Sequence, residues 1–293
     1  MTPVPHIFDR HRLAANRARA AAGFAEHDFL HRHIAAELAQ RLHGFNRHFD
    51  RALCLGSSGG LLTRALDDMA VPAPVGWLGE ADLTHAMLPP QKYAGRALVL
   101  DEERLPLARQ SCDAIIALWG LHHVNDLPGA LVQIRAALKP DGLFLAAIPG
   151  ISTLAALRQA FLQAESELAA GIAPHIHPFA DLRDLAGLLQ RTGYTDPVSD
   201  SDIIPVSYKN PIRLLHDLRG MGEANILLAR HKAGLRRDVL ARALQIFSQS
   251  AATNNGKACA EFEICYLSGR AGQAAAPSRK TARPHLTPDF SNR

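Results

Sequence analysis

Apolar residues recur along this chain with two different periods, and the alternation between them predicts the fold. From Phe8 to Leu42 the spacing is helical, with Phe24, Leu30, Ile34 and Leu38 forming one stripe. Arg51–Leu55 is then a short apolar run that reads as a first strand, and Leu61–Asp68 as the helix after it. Pro72 and Pro74 break the chain before a second strand at Val75–Leu78. A third strand follows at Ala97–Leu100. The continuous apolar run Cys112–Leu118 is typical of a strand buried on both faces. Leu131–Leu138 reads as a helix, Lys139–Gly142 as a turn and Leu143–Ile148 as a fifth strand. Strands that alternate with helices predict an α/β, doubly wound parallel sheet. Further on, Phe179–Arg191 is an amphipathic helix, Ile203–Tyr208 a sixth strand, residues 211–250 are helical, and Phe262–Leu267 is a seventh strand. These elements divide the chain into an N-terminal helical segment (1–44), a Rossmann-like core (45–150), a C-terminal part of the sheet with a helical lid (151–270, lid 211–250) and a disordered tail (271–293) rich in Ala, Pro, Ser and Arg.

Composition sharpens this picture in two places. With 293 residues and 47% hydrophobic content the chain can bury a sizeable core. Its formal charge of +4 sits in the first and last 25 residues, which leaves the body of the chain slightly acidic. A basic groove for nucleic acid is therefore not expected, and neither is a membrane span, so membrane association is at most peripheral. Four scattered cysteines with no C-x-x-C pair indicate neither a zinc knuckle nor a disulfide framework, and fit a reducing cytoplasm.

The candidate chemistry lies at the carboxyl ends of the predicted strands. Gly56-Ser57-Ser58-Gly59-Gly60 closes the first strand with a turn whose small residues let main-chain amides approach a ligand, with the next helix's N-terminus facing it. Asp82, about twenty residues on, is placed to hold a ribose through both hydroxyls, or to cap the following helix. Asp101 and Glu102 end the third strand and point into the same crevice, where Asp101 is placed to accept from an adenine amino group.

Taken in order, the turn at Gly56, Asp82 followed by Met87-Leu88, Asp101 with Leu105-Pro106, the Asp113 strand and Leu138-Lys139-Pro140-Asp141-Gly142 resemble class I S-adenosylmethionine-dependent methyltransferases. That resemblance implies S-adenosyl-L-methionine as cofactor. Gly56, Ser58 and Gly60 would lie at its methionine part, Asp82 at the ribose, and Asp101 and Glu102 at the adenine. It also implies an antiparallel seventh strand. Two departures stand out: Cys54 replaces an acid common two residues before the first glycine, and Ser58 replaces a common glycine.

Phe8-Asp9-Arg10, Asp101-Glu102-Glu103, Leu121-His122-His123-Val124-Asn125-Asp126-Leu127-Pro128, Pro174-His175-Ile176-His177-Pro178-Phe179 and Asp217–Asn225 narrow the likeness further. They resemble the complex I assembly factor 5 family and its alphaproteobacterial relatives. That resemblance implies hydroxylation of an arginine on the quinone-module iron-sulfur subunit of respiratory complex I. The alternatives are carboxyl methyl transfer, as in the malonyl-carrier-protein methyltransferase of biotin synthesis, and a non-catalytic assembly chaperone. Glu223 and Asn225, beside Gly220 and Gly222, are candidates to contact a guanidinium, with helix capping as the alternative. Asp126 and Tyr208 are candidate acid-base or arginine contacts, with capping and core packing as the alternatives. His122, His123, His175 and His177 read as packing or surface residues rather than metal ligands.

Overall fold

The computed structural model describes residues 5–89, 96–168, 171–253 and 256–272. Seven strands form one sheet in the order β3-β2-β1-β4-β5-β7-β6. They are β1 Phe49–Leu55, β2 Val75–Asp82, β3 Ala97–Val99, β4 Cys112–Ala117, β5 Leu138–Pro149, β6 Tyr194–Tyr208 and β7 Ala258–Ala271. The first five are mutually parallel, and β7 runs antiparallel to both β5 and β6. The predicted doubly wound architecture and the reversed last strand are therefore both present.

Two apolar layers hold helices to the sheet, and β5 shows how the sequence builds both. Leu143, Leu145 and Ala147 face a core with α2 (Phe29–Gly44), α3 (Leu61–Asp67), α5 (Ala155–Leu168) and α8 (Arg237–Ser250). Phe144, Ala146 and Ile148 face the opposite core with α4 (Leu127–Ala137) and α6 (Leu182–Arg191). This is the period-two alternation of a strand covered on both sides. Ile34, Leu38 and Leu42 of α2 are fully buried, as their helical spacing predicts.

Several boundaries differ from expectation. The N-terminal helix is broken into α1 (Arg10–Ala20), a 3-10 turn at Ala21–Glu26, and α2. Asp9 caps α1 by accepting from the Arg12 amide at 3.0 Å. The helix expected from Leu131 starts four residues earlier, because Asp126 accepts from the Gly129 amide at 2.9 Å and Pro128 fits the first turn. Lys139–Gly142 belongs to the irregular start of β5, with Asp141 at φ +59°. Strand β6 begins at Tyr194 rather than Ile203, since its exposed polar residues are carried by pairing with β7.

The expected lid is not one helical layer. It comprises α7 (Ile212–Gly220), an irregular stretch, and α8, which packs against α5 on a face of the sheet rather than over the crevice. The expected tail lies outside the described residues from 273 onward, whereas Ala271 still ends β7. No described helix is long and apolar enough to cross a membrane.

Leu38 stands at the centre of the α2 contact and is 0% exposed. Leu38→Ala is expected to cost about 2–5 kcal/mol in urea unfolding, whereas Val132→Ala, on the exposed side of α4, should cost less than about 0.5 kcal/mol. Equal losses would show that α2 does not anchor this core.

Candidate functional site

At the carboxyl edge of β1 the chain turns through Gly56 (φ +75°), Ser58 (φ +49°), Gly59 (φ +78°) and Gly60 (φ +82°). A Cβ on Gly56 would stand 3.1 Å from the Trp119 carbonyl, so the turn and the end of β4 need glycine there. Asp82 comes from the end of β2 and is wholly buried. It accepts from the Ser58 and Thr84 amides, both at 3.3 Å. Asp101 and Glu102 follow β3. The six residues expected to surround a nucleotide are thus brought to one edge of the sheet.

Their polar groups are engaged by the chain itself. Arg17 of α1 reaches Asp82 Oδ2 at 3.3 Å and Ser58 Oγ at 3.4 Å. Arg10 pairs with Asp101 at 2.6 Å and also with Glu102. The turn's amides are taken too: Ser57 donates to the Ala81 carbonyl, Gly59 to that of Met87, and Gly60 to that of Ser57. The residue types suit a nucleotide bearing a charged amino acid, and α1 lies against them through Arg10 and Arg17.

Arg10 and Arg17 reach these carboxylates because the N-terminal segment docks here, fixed by Asn125, which accepts from the Ile7 and Phe8 amides at 2.8 and 2.9 Å. Sequence reasoning missed this docking, and it also missed Glu80. The β1–β2 register sets Glu80 beside Cys54, so the neighbouring strand supplies the carboxylate that β1 lacks there. Glu80 accepts from Thr63 Oγ1 at 2.5 Å. Burial, with Glu80 alongside, pushes the Cys54 thiol well above its ordinary range, so Cys54 is a buried filler rather than a nucleophile.

A second polar group lies beyond Trp119. The 3-10 turn Leu121–His123 after β4 presents His122 and His123, and the segment after α7 presents Glu223. Glu223 Oε1 accepts from Trp119 Nε1 at 3.1 Å. Its Oε2 stands 3.3 Å from His122 Nε2 and 3.1 Å from His123 Nε2. His177 joins them, its Nδ1 3.3 Å from His123 Nε2. Burial lowers His123 well below its ordinary range, with His122 adding to the effect, and lowers His177 to about 4. Burial raises Glu223, but the imidazoles of His123 and His122 outweigh it and hold the carboxyl well below the ordinary range. The histidines expected at the surface or in packing are instead gathered on one carboxylate.

His122, His177 and Glu223 line a cavity of about 320 Å³, walled by Trp119, Phe161, Phe179 and His175, with His123 behind them. His175 is held apart from the others by its 2.7 Å contact with Glu165. Glu223 lines this cavity, whereas Asn225 spends its amide on the Pro174 carbonyl (2.8 Å) and the Leu227 amide (2.9 Å), which shapes the loop. The remaining two candidates lie elsewhere. Asp126 is the α4 cap, and Tyr208 is buried in the sheet core. Burial, with the Asp217 carboxylate adding to it, raises the Tyr208 hydroxyl above its ordinary range. His31, fully buried and edge-on to Trp119, was not foreseen.

Residues 24–197 match a methyltransferase-domain family. The chain is 34% identical over 269 residues to the human arginine-hydroxylase NDUFAF5, mitochondrial, covering 90% of this chain and 76% of that protein. It is 28% identical over 272 residues to the malonyl-[acyl-carrier protein] O-methyltransferase of Gallionella capsiferriformans, covering 89% of this chain and 90% of that one. Among solved structures, the YcgJ protein of Bacillus subtilis shares the fold at a TM-score of 0.55 and 15% identity, covering 81% of this chain and 98% of that chain.

Asp82 yields a pH test. Burial raises its carboxyl to about 6, against an ordinary 3.8, despite the opposing pull of Arg17. Between those values the folded protein holds a proton that the unfolded chain has lost. Stability is therefore lost as pH rises from about 4 to about 6, by up to roughly 3 kcal/mol, and levels off above. Asp82→Asn cannot ionise, and urea melts across that range should show a correspondingly shallower slope. An unchanged slope would mean that Asp82 does not titrate there.

Proposed function

The chain belongs to the NDUFAF5 family of class I S-adenosylmethionine-dependent methyltransferases, and we propose that it hydroxylates an arginine side chain of a protein substrate, the quinone-module iron-sulfur subunit of respiratory complex I. The observation that carries this proposal is Glu223 in the lining of the cavity. An ionised carboxylate in a pocket with aromatic walls is complementary to a guanidinium on an apolar stem. Phe179 already carries one guanidinium, that of Arg158, 5.9 Å from its ring centroid.

The residues divide the work. Glu223 attracts and orients the incoming arginine, with its Oε1 held in place by the Trp119 indole N–H. Phe161, Phe179 and Trp119 exclude water around the side chain's methylenes. Asn225 positions the loop that carries Glu223. S-adenosylmethionine, when bound, supplies a methyl group and no oxygen atom; Gly56, Ser58 and Gly60 would hold its methionine part, Asp82 its ribose, and Asp101 with Glu102 its adenine.

The full chain incubated with the candidate subunit in air with a reductant is expected to add one oxygen to an arginine-containing peptide, read by mass spectrometry. One added methyl group would instead support carboxyl or other methyl transfer, and an unmodified but bound subunit would support a chaperone. In calorimetry Asp82→Ala is expected to weaken S-adenosylmethionine binding by roughly 10- to 100-fold, the loss of charge-assisted hydrogen bonds worth about 1.5–3 kcal/mol. Unchanged affinity would remove Asp82 from the cofactor site.

A further inference from the structure

The polar contacts of the His122–His123–Glu223 group do not close on themselves. The Ile226 main-chain N–H can only donate, and it donates to His177 Nε2 at 3.2 Å. The other ring nitrogen of His177, Nδ1, faces His123 Nε2 at 3.3 Å. His123 Nε2 stands 3.1 Å from Glu223 Oε2, and His122 Nε2 stands 3.3 Å from the same oxygen. Two imidazole nitrogens and one carboxylate oxygen thus converge on one point, a donor set that a cation can share. Among the described residues the Nδ1 atoms of His122 and His123 have no hydrogen-bond partner, and the polar contacts of both rings lie on the Nε2 side, where Glu223 and His177 stand.

The spacing suits one kind of cation. A donor atom from each of His122, His123 and Glu223 lies within 4.8 Å of the other two. An ion bonded at about 2.0–2.2 Å sets neighbouring donors roughly 3.0–3.5 Å apart. The observed 3.3 and 3.1 Å separations fall in that range. Burial does the rest, because the side chains of His122 and His123 are 3% and 1% exposed and cannot turn out to water.

We infer that His122, His123 and Glu223 bind one divalent first-row transition-metal ion through two imidazole Nε2 atoms and one carboxylate oxygen. Three protein ligands leave coordination positions open, and His122 and Glu223 both border the cavity, which places those positions where a substrate side chain enters. Two histidines and one carboxylate with open positions is the donor set that suits non-haem iron(II). Trp119 acts from outside the ligand set, its N–H fixing Glu223 through the oxygen that does not face the histidines.

The metal site stands on this geometry alone; its use in oxygen chemistry rests on the hydroxylation proposed above, and with Glu223 on the ion the incoming arginine is held by the aromatic walls at Phe161 and Phe179 instead of by that carboxylate. There the balance is closed by dioxygen and an external two-electron reductant. One oxygen atom enters the substrate C–H bond as C–OH, and the other leaves as water with two electrons and two protons from the reductant.

The test uses the full chain, stripped with chelator and titrated with cobalt(II), whose visible absorption reports nitrogen and oxygen ligands without redox change. One cobalt per chain is expected in the wild type and in His175→Ala, which removes a histidine of the same cavity that Glu165 already holds. Affinity should fall by more than about 100-fold in His122→Ala and in Glu223→Gln, beyond the cost of losing an outer-shell partner. Near-ultraviolet circular dichroism identifies variants that remain folded, and Glu223→Gln keeps the shape if His122→Ala does not. No bound cobalt in the folded wild type, or equal loss in His175→Ala, overturns the site. The substrate peptide's mass is read separately. Added oxygen without bound metal rejects the metal site and leaves the hydroxylation proposal standing, whereas bound metal without added oxygen does the reverse.

Discussion

Asp82, Glu102 and Glu223 are carboxylates held almost entirely away from water, and an unpaired buried charge costs several kcal/mol. Each is met by a donor from a distant part of the chain. Arg17 and Arg10 reach back from α1 to the first two, and Trp119 meets the third from the end of β4. The need to satisfy these groups ties the N-terminal segment to the sheet edge. Phe8 and Leu13 then pack with Ile226 and Leu227, and Asp9 donates its amide to the Ile226 carbonyl at 2.9 Å. One small apolar cluster thereby joins the start of the chain to the loop that carries Glu223.

That connection joins two regions that are distinct in chemistry. The crevice at Gly56 and Asp82 has the residue types of a nucleotide site and is met by guanidinium groups. The cavity beyond Trp119 is open to a side chain and holds the histidines. Trp119 lies between them, its carbonyl against the Gly56 turn and its indole N–H on Glu223. Arg230 pairs with Asp9, the α1 cap, and the Ile226 amide that follows Glu223 in the chain donates to His177, so the contacts of the two regions adjoin.

Much of this was legible in residue order. The parallel strands, the small-residue turn and the acids at the strand ends follow from local periodicity and from which residues tolerate positive φ. Glu223 was legible as a polar residue beside flexible glycines. Asp126 and Tyr208 were left between two readings because a carboxylate at a helix start and a tyrosine at a strand end look alike whether they cap and pack or act on a ligand. Only their surroundings separate those roles.

The histidines mark the limit most clearly. His122 and His123 lie about a hundred residues from Glu223 and more than fifty from His177, and no period or spacing connects them. The sequence by itself determined the alternation of strands and helices and the small-residue turn with its acids, because strand and turn propensities act over a few residues; the reversed last strand followed only from the family resemblance. The tertiary structure alone decided that α1 lies against those acids and that two histidines converge on one buried carboxylate. Those outcomes depend on how a helix docks and how a loop folds over the sheet edge, and docking is set by packing between residues far apart in the chain.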